Sequence, residues 1–156
     1  MAEIKTIPFN ENTPEEMRSI KYGENWPVVY VINNDEEAYI GETVNASVRS
    51  GQHLKNEDRQ RLSNISIISD EDYNKSVILD LEAFLIKHMA ADEKYILQNG
   101  NMGMALHDYY EKDRYESSFS SIWDNLRKRE LVNKSLRDAV CVLTDGEMQI
   151  KTQKRK

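Results

Sequence analysis

Two tyrosines, Tyr30 and Tyr39, punctuate the stretch VVYVINNDEEAYIGET. Further along, Arg49 and His53 stand four residues apart, and Glu82 lies inside the apolar run VILDLEAFLIK. These side-chain types can do chemistry together. A phenol, an imidazole and a carboxylate exchange protons, a guanidinium holds an anion, and a carboxylate among apolar groups needs a cation or a proton. Each also has a plainer reading. Strand tyrosines commonly pack with the hydroxyl at the surface. An Arg/His pair at this spacing can be a solvated helix face. Glu82 can form a structural ion pair, for example with Arg49, or bind a metal ion.

The surrounding sequence must supply the elements that position these residues. From Pro27 to Asn33 the run PVVYVIN is apolar on both faces and β-branched, which predicts a central strand covered on both sides. NNDEE reads as a turn and AYIGE as a second short strand. A two-residue turn, or a four-residue loop over 33–36, sets Tyr30 directly opposite Tyr39, with the rings on one face and about 5 Å apart at Cβ. After Gly41, Val44, Val48 and Leu54 give a loose helical stripe, and a helix there brings Arg49 and His53 onto one face. Gly51 weakens that helix by roughly 1 kcal/mol relative to alanine.

Asn64 to Asp70 reads as a third strand. NKSVILDLEAFLIKHMAADEKY is the clearest helix, with Val77, Ile78, Leu81, Leu85, Ile86 and Met89 at helical spacing and Glu82 on the same stripe. ILQNGNMG breaks it at Gly100 and Gly103. YESSFSSIWDNLRKREL predicts a final amphipathic helix whose Tyr115, Phe119, Ile122, Trp123 and Leu126 face the core, with dimerisation through Phe119 and Trp123 as the alternative. Residues 1–24 read as a polar loop with one short helix after Thr13. The expected fold is α/β, an α+β sandwich: a small, mostly antiparallel three-stranded sheet flanked by helices. Its expected divisions are a polar N-terminal extension over 1–26, one domain over 27–132, and a C-terminal extension with a basic tail over 133–156.

The composition narrows the class. A chain of 156 residues, 39% hydrophobic and 31% charged, suits one soluble domain. No run of 18 apolar residues is present, and MAEIKTIPFNENTPEEMR has no apolar signal core, so a cytoplasmic protein with no membrane partner is expected. The net charge is −6, but residues 121–156 carry a net +4 against −10 for 1–120. The tail KTQKRK reads as a solubilising end or a DNA-contacting arm. The single cysteine, Cys141, excludes an internal disulfide and a cysteine-rich zinc site, and its apolar neighbours suggest a buried thiol. His88 and His107 lack partners at metal-ligand spacing. Neither GxxxxGK[ST] nor a strand-linked GxGxxG occurs.

Taken in order, VVY at 28–30, YIG at 39–41, Arg49 eight residues after Gly41, His53 four further on, and EAFLIK from Glu82 resemble the signature of the GIY-YIG nuclease family. The likeness spans roughly residues 27–103. YIGET…R…QH and LQNGN are similar to the variety found ahead of helicase-like domains. Val28 stands where the family has its first glycine, and Glu42 where many members carry a neutral or basic residue. The family's terminal asparagine falls on Asn99 or Asn101, and Asn99 lies 17 positions after Glu82.

The resemblance implies a GIY-YIG-type fold and a metal-dependent endonuclease that hydrolyses DNA phosphodiester bonds at a single site. Catalytic roles would fall to Tyr30, Tyr39, Arg49, His53 and Glu82. Glu82 would hold one Mg²⁺ or Mn²⁺, a sparse ligation that suits Mg²⁺. Arg49 would hold the phosphate, and Tyr39 would position water or phosphate. Gly41, Asn99 and Asn101 would line the substrate. Tyr30 would be the general base, passing its proton to His53. A phenol near pKa 10 needs lowering by the metal, Arg49 and His53 to serve in that role. DNA is the implied substrate, with a partner protein or homodimer supplying specificity. The alternative from another class is a catalytically silent module of the same fold that binds nucleic acid or a protein, to which Glu42 and the net negative charge point.

Overall fold

The computed structural model of the protein describes residues 2–99 and 112–144. Asn101, His107, the Gly100/Gly103 break and the KTQKRK tail lie outside these residues, as does the side chain of Tyr115. The described residues form a mixed α/β fold around a five-stranded sheet in the order β1-β4-β2-β3-β5. The strands are β1 (Glu3–Pro8), β2 (Val28–Asn33), β3 (Glu37–Thr43), β4 (Asn64–Ser69) and β5 (Ile96–Leu97). All neighbouring pairs are antiparallel except β3 and β5. No described helix is long and apolar enough to cross a membrane.

β2 is the central strand, and all six of its residues are buried. The reason is the one its sequence implies: alternate residues enter two different cores. Val29 and Val31, with Ile40 and Ile68, face α3 (Lys75–Asp92) and α4 (Lys112–Lys128). Val28, Tyr30 and Ile32, with Ile65 and Ile67, face Phe9, Met17 and Ala46. These last two come from α1 (Thr13–Arg18) and α2 (Ala46–Leu54). Phe119 and Trp123 of α4 are buried in the first core, at 1% and 0% exposure, which takes them up in packing within the chain.

The sheet has five strands, not the expected three. β1 comes from the segment expected to be a polar loop and pairs along its whole length with β4. Only Ile4 of β1 is buried, so its sequence shows little strand periodicity. β5 is two residues long and extends the far edge.

The β2–β3 register also differs from expectation. Tyr30 pairs with Gly41, and Ile32 with Tyr39. The loop covers 34–37 because Asn34 organises it: its Oδ1 accepts from the N–H groups of Glu36 and Glu37 at 2.8 and 2.6 Å, and its own N–H donates to the Glu37 carbonyl. A side chain that binds the main chain two residues on is a turn device of asparagine. The slip is two residues, an even number, so Tyr30 and Tyr39 stay on one face as diagonal neighbours.

α2 turns a different side inward than its apolar spacing suggests. Val44 and Val48 are exposed at 52% and 55%, and the buried residues are Ala46, Ser47, Ser50 and His53. Small residues let α2 approach α1 closely, with the Ser47 hydroxyl donating to the Pro14 carbonyl at 2.6 Å. Residues 136–144 are helical as well. Ala139 of that segment is in the core, with Leu136 and Leu143 packed against it. Cys141 falls on the opposite side and is exposed, so the expected buried thiol is not found.

Candidate active site

Tyr30 is held by β2 with its ring over β3 and α2. Its hydroxyl lies 2.7 Å from His53 Nε2 and 3.4 Å from Arg49 Nε. α2 supplies both partners from positions four apart, one helical turn. Asn45 caps that helix through its side chain, accepting from the Val48 N–H. Tyr39 completes the group. Its ring centroid is 6.4 Å from that of Tyr30 and 4.9 Å from that of His53.

Gly41 explains the close approach of Tyr30 to β3. A Cβ at Gly41 would lie 2.3 Å from the Tyr30 hydroxyl oxygen and 2.4 Å from Cζ. The phenol lies over the bare Cα of its cross-strand partner, an arrangement open only to glycine.

The electrostatics keep both groups uncharged. Burial holds His53 far below the ordinary imidazole range, at about 4, and the nearby Arg49 and Arg59 charges push the same way. His53 is therefore neutral near pH 7 and its ring nitrogen can accept. Burial pushes the Tyr30 phenol above its ordinary value, against the lowering effect of the Arg49 hydrogen bond. Arg49 does pull the phenol down, but burial outweighs it, so the net lowering expected from Arg49 and His53 is not found in the protein alone. Tyr30 is a neutral phenol. Arg49 Nε–H donates to its oxygen, and in the Nδ1–H tautomer of His53 the phenol O–H donates to Nε2.

Glu82 approaches from α3, on the other side of the sheet, at the outer edge of β3. The ion pair with Arg49 weighed from the sequence does not form: Arg49 Nη1 instead donates to Gln52 Oε1 at 2.7 Å. Glu82 is half-buried and is raised to about 7, first by burial and then by Glu42, with Lys75 and a main-chain hydrogen bond at Glu42 opposing. Its charge is felt at Tyr30 as well. Glu42 is itself tied to Lys75 Nζ at 2.5 Å, so the second acid of this corner already has a counter-charge.

Asn99 is engaged with the main chain. Its Nδ2 donates to the Ile40 carbonyl at 2.7 Å and its Oδ1 accepts from the Ile40 N–H at 3.0 Å. The side chain continues the β5 pairing two residues beyond Leu97 and steadies β3 beside Gly41. Asn101 lies outside the described residues. His88 is a core residue, stacked on Phe84 with Nδ1 at 2.7 Å from the Phe84 carbonyl.

Three residues at the site were not foreseen. Gln52 holds Arg49, Lys75 neutralises Glu42, and Arg59 lies over the Tyr39 ring at 3.9 Å from its centroid. Gln52 is three residues after Arg49 and is readable as a helical neighbour. Lys75 and Arg59 reach the site through tertiary contacts that no spacing rule marks.

A divalent cation fits the corner at Glu82. Its carboxylate has no ion-pair partner among the described residues, and burial and the neighbouring Glu42 raise its hold on a proton. No cluster of three or more His, Cys, Asp or Glu side chains at metal-binding distance occurs among the described residues. Water and a substrate oxygen would have to complete the coordination, as Mg²⁺ commonly requires.

No family model, curated protein or solved structure matches this chain. The likeness to a nuclease signature therefore stands on the sequence motifs alone.

Proposed function

We propose that the protein is a metal-dependent endonuclease of the GIY-YIG type, with a single site that hydrolyses DNA phosphodiester bonds. The observation that carries this reading is the Tyr30 hydroxyl held between His53 Nε2 and Arg49 Nε. A phenol in that position can relay a proton. A water O–H bond breaks, its proton goes to Tyr30 Oη, and the original phenolic proton passes to His53 Nε2. The resulting hydroxide attacks phosphorus, the bond to the leaving sugar oxygen breaks with its electron pair going to that oxygen, which takes a proton from water, and His53 returns its proton to solvent. No stable phenolate is needed, which suits a phenol raised by burial.

Arg49 offers the phosphate its guanidinium charge and keeps Tyr30 in place. Tyr39 borders the space where water or phosphate would sit. Glu82 would hold Mg²⁺ or Mn²⁺, which when bound supplies Lewis-acid stabilisation of the developing charge. Asn99 acts at one remove, by fixing Ile40 beside Gly41.

The test is incubation of the purified protein with supercoiled and linear DNA and Mg²⁺ or Mn²⁺, beside Glu82→Ala. Metal-dependent cutting by the wild type alone is expected; equal cutting by both would refute the assignment. The second reading, a silent module that binds nucleic acid or a protein partner, draws on the closeness of Glu42 to Glu82. It predicts intact DNA, with retardation that weakens as salt rises if the partner is nucleic acid and none if it is a protein.

A further inference from the structure

Arg59 sits on the short 3₁₀ turn Arg59–Arg61 and lays its guanidinium on Tyr39 at 3.9 Å from the ring centroid. Its Nε is buried and has no hydrogen-bond partner, and Nη1 reaches only the neutral Asn56 Oδ1 at 3.4 Å. No carboxylate lies within ion-pair distance among the described residues. Its neighbour Arg61 differs: that side chain pairs with Glu37 at 3.2 Å and Asp58 at 3.7 Å. In a chain of net charge −6, a half-buried guanidinium left without an acid lacks a counter-ion that the protein has in ample supply.

The position says what that counter-ion is. Arg49, Tyr30, His53, Tyr39 and Arg59 follow one another in contact, with Tyr30 and His53 buried and a partly exposed guanidinium at each end. Arg49 also has no acid within ion-pair distance among the described residues. Arg59 adds its positive field to the one that keeps His53 uncharged. A nucleic-acid strand brings phosphates in succession along such a row, and one guanidinium can hold only one of them closely.

We propose that Arg59, seated on Tyr39, is a second phosphate-binding subsite that grips a phosphodiester neighbouring the one presented to Tyr30 and Arg49. This rests on the nuclease reading for the identity of the strand. The subsite fixes the position of the strand and carries no base information.

The test compares Arg59→Lys, which keeps the charge, with Arg59→Met, which keeps an apolar stem over Tyr39. Both are made in a Glu82→Gln background so that the DNA stays intact, with folding checked by thermal melting. Binding of a short fluorescein-labelled duplex is followed by anisotropy across a salt series. Arg59→Met is expected to lower the salt slope of log K by about 1 and to weaken binding evenly across sequences, while Arg59→Lys keeps most of the slope. A slope unchanged in Arg59→Met, with melting lowered in Arg59→Lys, would reduce Arg59 to a packing residue and overturn the subsite. Cleavage by the otherwise wild-type protein in Mg²⁺ reads the parent assignment separately. Cutting with an unchanged slope removes the subsite and keeps the nuclease. A reduced slope without cutting keeps the subsite on a binding module. Failure to bind DNA at low salt removes both.

Discussion

Tyr30 stands directly across the sheet from Gly41, and its hydroxyl oxygen lies 2.3 Å from where a Cβ at Gly41 would be. The glycine is thus a seat for the phenol. Gly41→Ala must displace the Tyr30 ring, which is 2% exposed and has nowhere to move freely. We expect a loss of about 1–3 kcal/mol in stability and loss of cleavage with it. Chemical denaturation and the plasmid assay read the two effects. A variant as stable and active as the wild type would contradict the packing.

Tyr30→Phe separates the hydroxyl from the ring. The ring still covers Gly41, but the buried His53 Nε2 and Arg49 Nε each lose a partner. The expected stability cost is about 1–3 kcal/mol. Cleavage should fall by about 10²–10⁴-fold, the span of a lost general base. Binding of DNA to this variant should persist, which gel retardation would check.

Acid stability should follow two groups with opposite signs. His53 has its folded value near 4 against an ordinary 6.5, so its stabilisation is complete above pH 6.5 and is lost as pH falls through 4. At 5% exposure the full loss is about 3 kcal/mol. Glu82, at about 7 against 4.5, stabilises the metal-free protein below pH 4.5 and loses that stabilisation as pH rises through 7. Between them the stability profile flattens from pH 4.5 to 6.5. Glu82→Gln should melt higher than the metal-free wild type at pH 8 and lose that advantage by pH 4.5. Mg²⁺ should raise the melting temperature of the wild type at pH 8 and leave the variant unmoved.

Gly51 invites the opposite substitution to Gly41. It lies inside α2, and a Cβ there meets only Pro14 Cγ, at an ordinary 3.6 Å. Gly51→Ala should stabilise the protein by about 0.5–1 kcal/mol through helix propensity, with cleavage unchanged. A lower melting temperature would mean that α1 and α2 are packed more tightly than their separation indicates.

The sequence is most informative where burial is two-sided. β2 and α3 follow from their apolar runs, and α4 from the spacing of Phe119, Ile122, Trp123 and Leu126, all of them buried. It is least informative at the margins. β1 buries one residue and β5 spans two, so neither shows a period. The face of α2 misleads because close packing against α1 selects Ser47 and Ser50 over Val44 and Val48. Arg49 and His53 share a face as their spacing implies, because one helical turn fixes them; their meeting with Tyr30 depends on how α2 lies on the sheet. Arg59 reaches Tyr39 only through the path of the chain after α2, which local pattern does not encode.

Asn99 has a consequence for how the molecule meets its own kind. β3 borders the site, and beyond Leu97 no strand pairs with its outer side among the described residues. Bare main-chain groups on such a border invite strand addition from another molecule. The Asn99 carboxamide occupies the Ile40 N–H and C=O and ends the ladder with a side chain. At Ile40, between Tyr39 and Gly41, the border of β3 therefore offers no free main-chain pair as a template for intermolecular sheet growth.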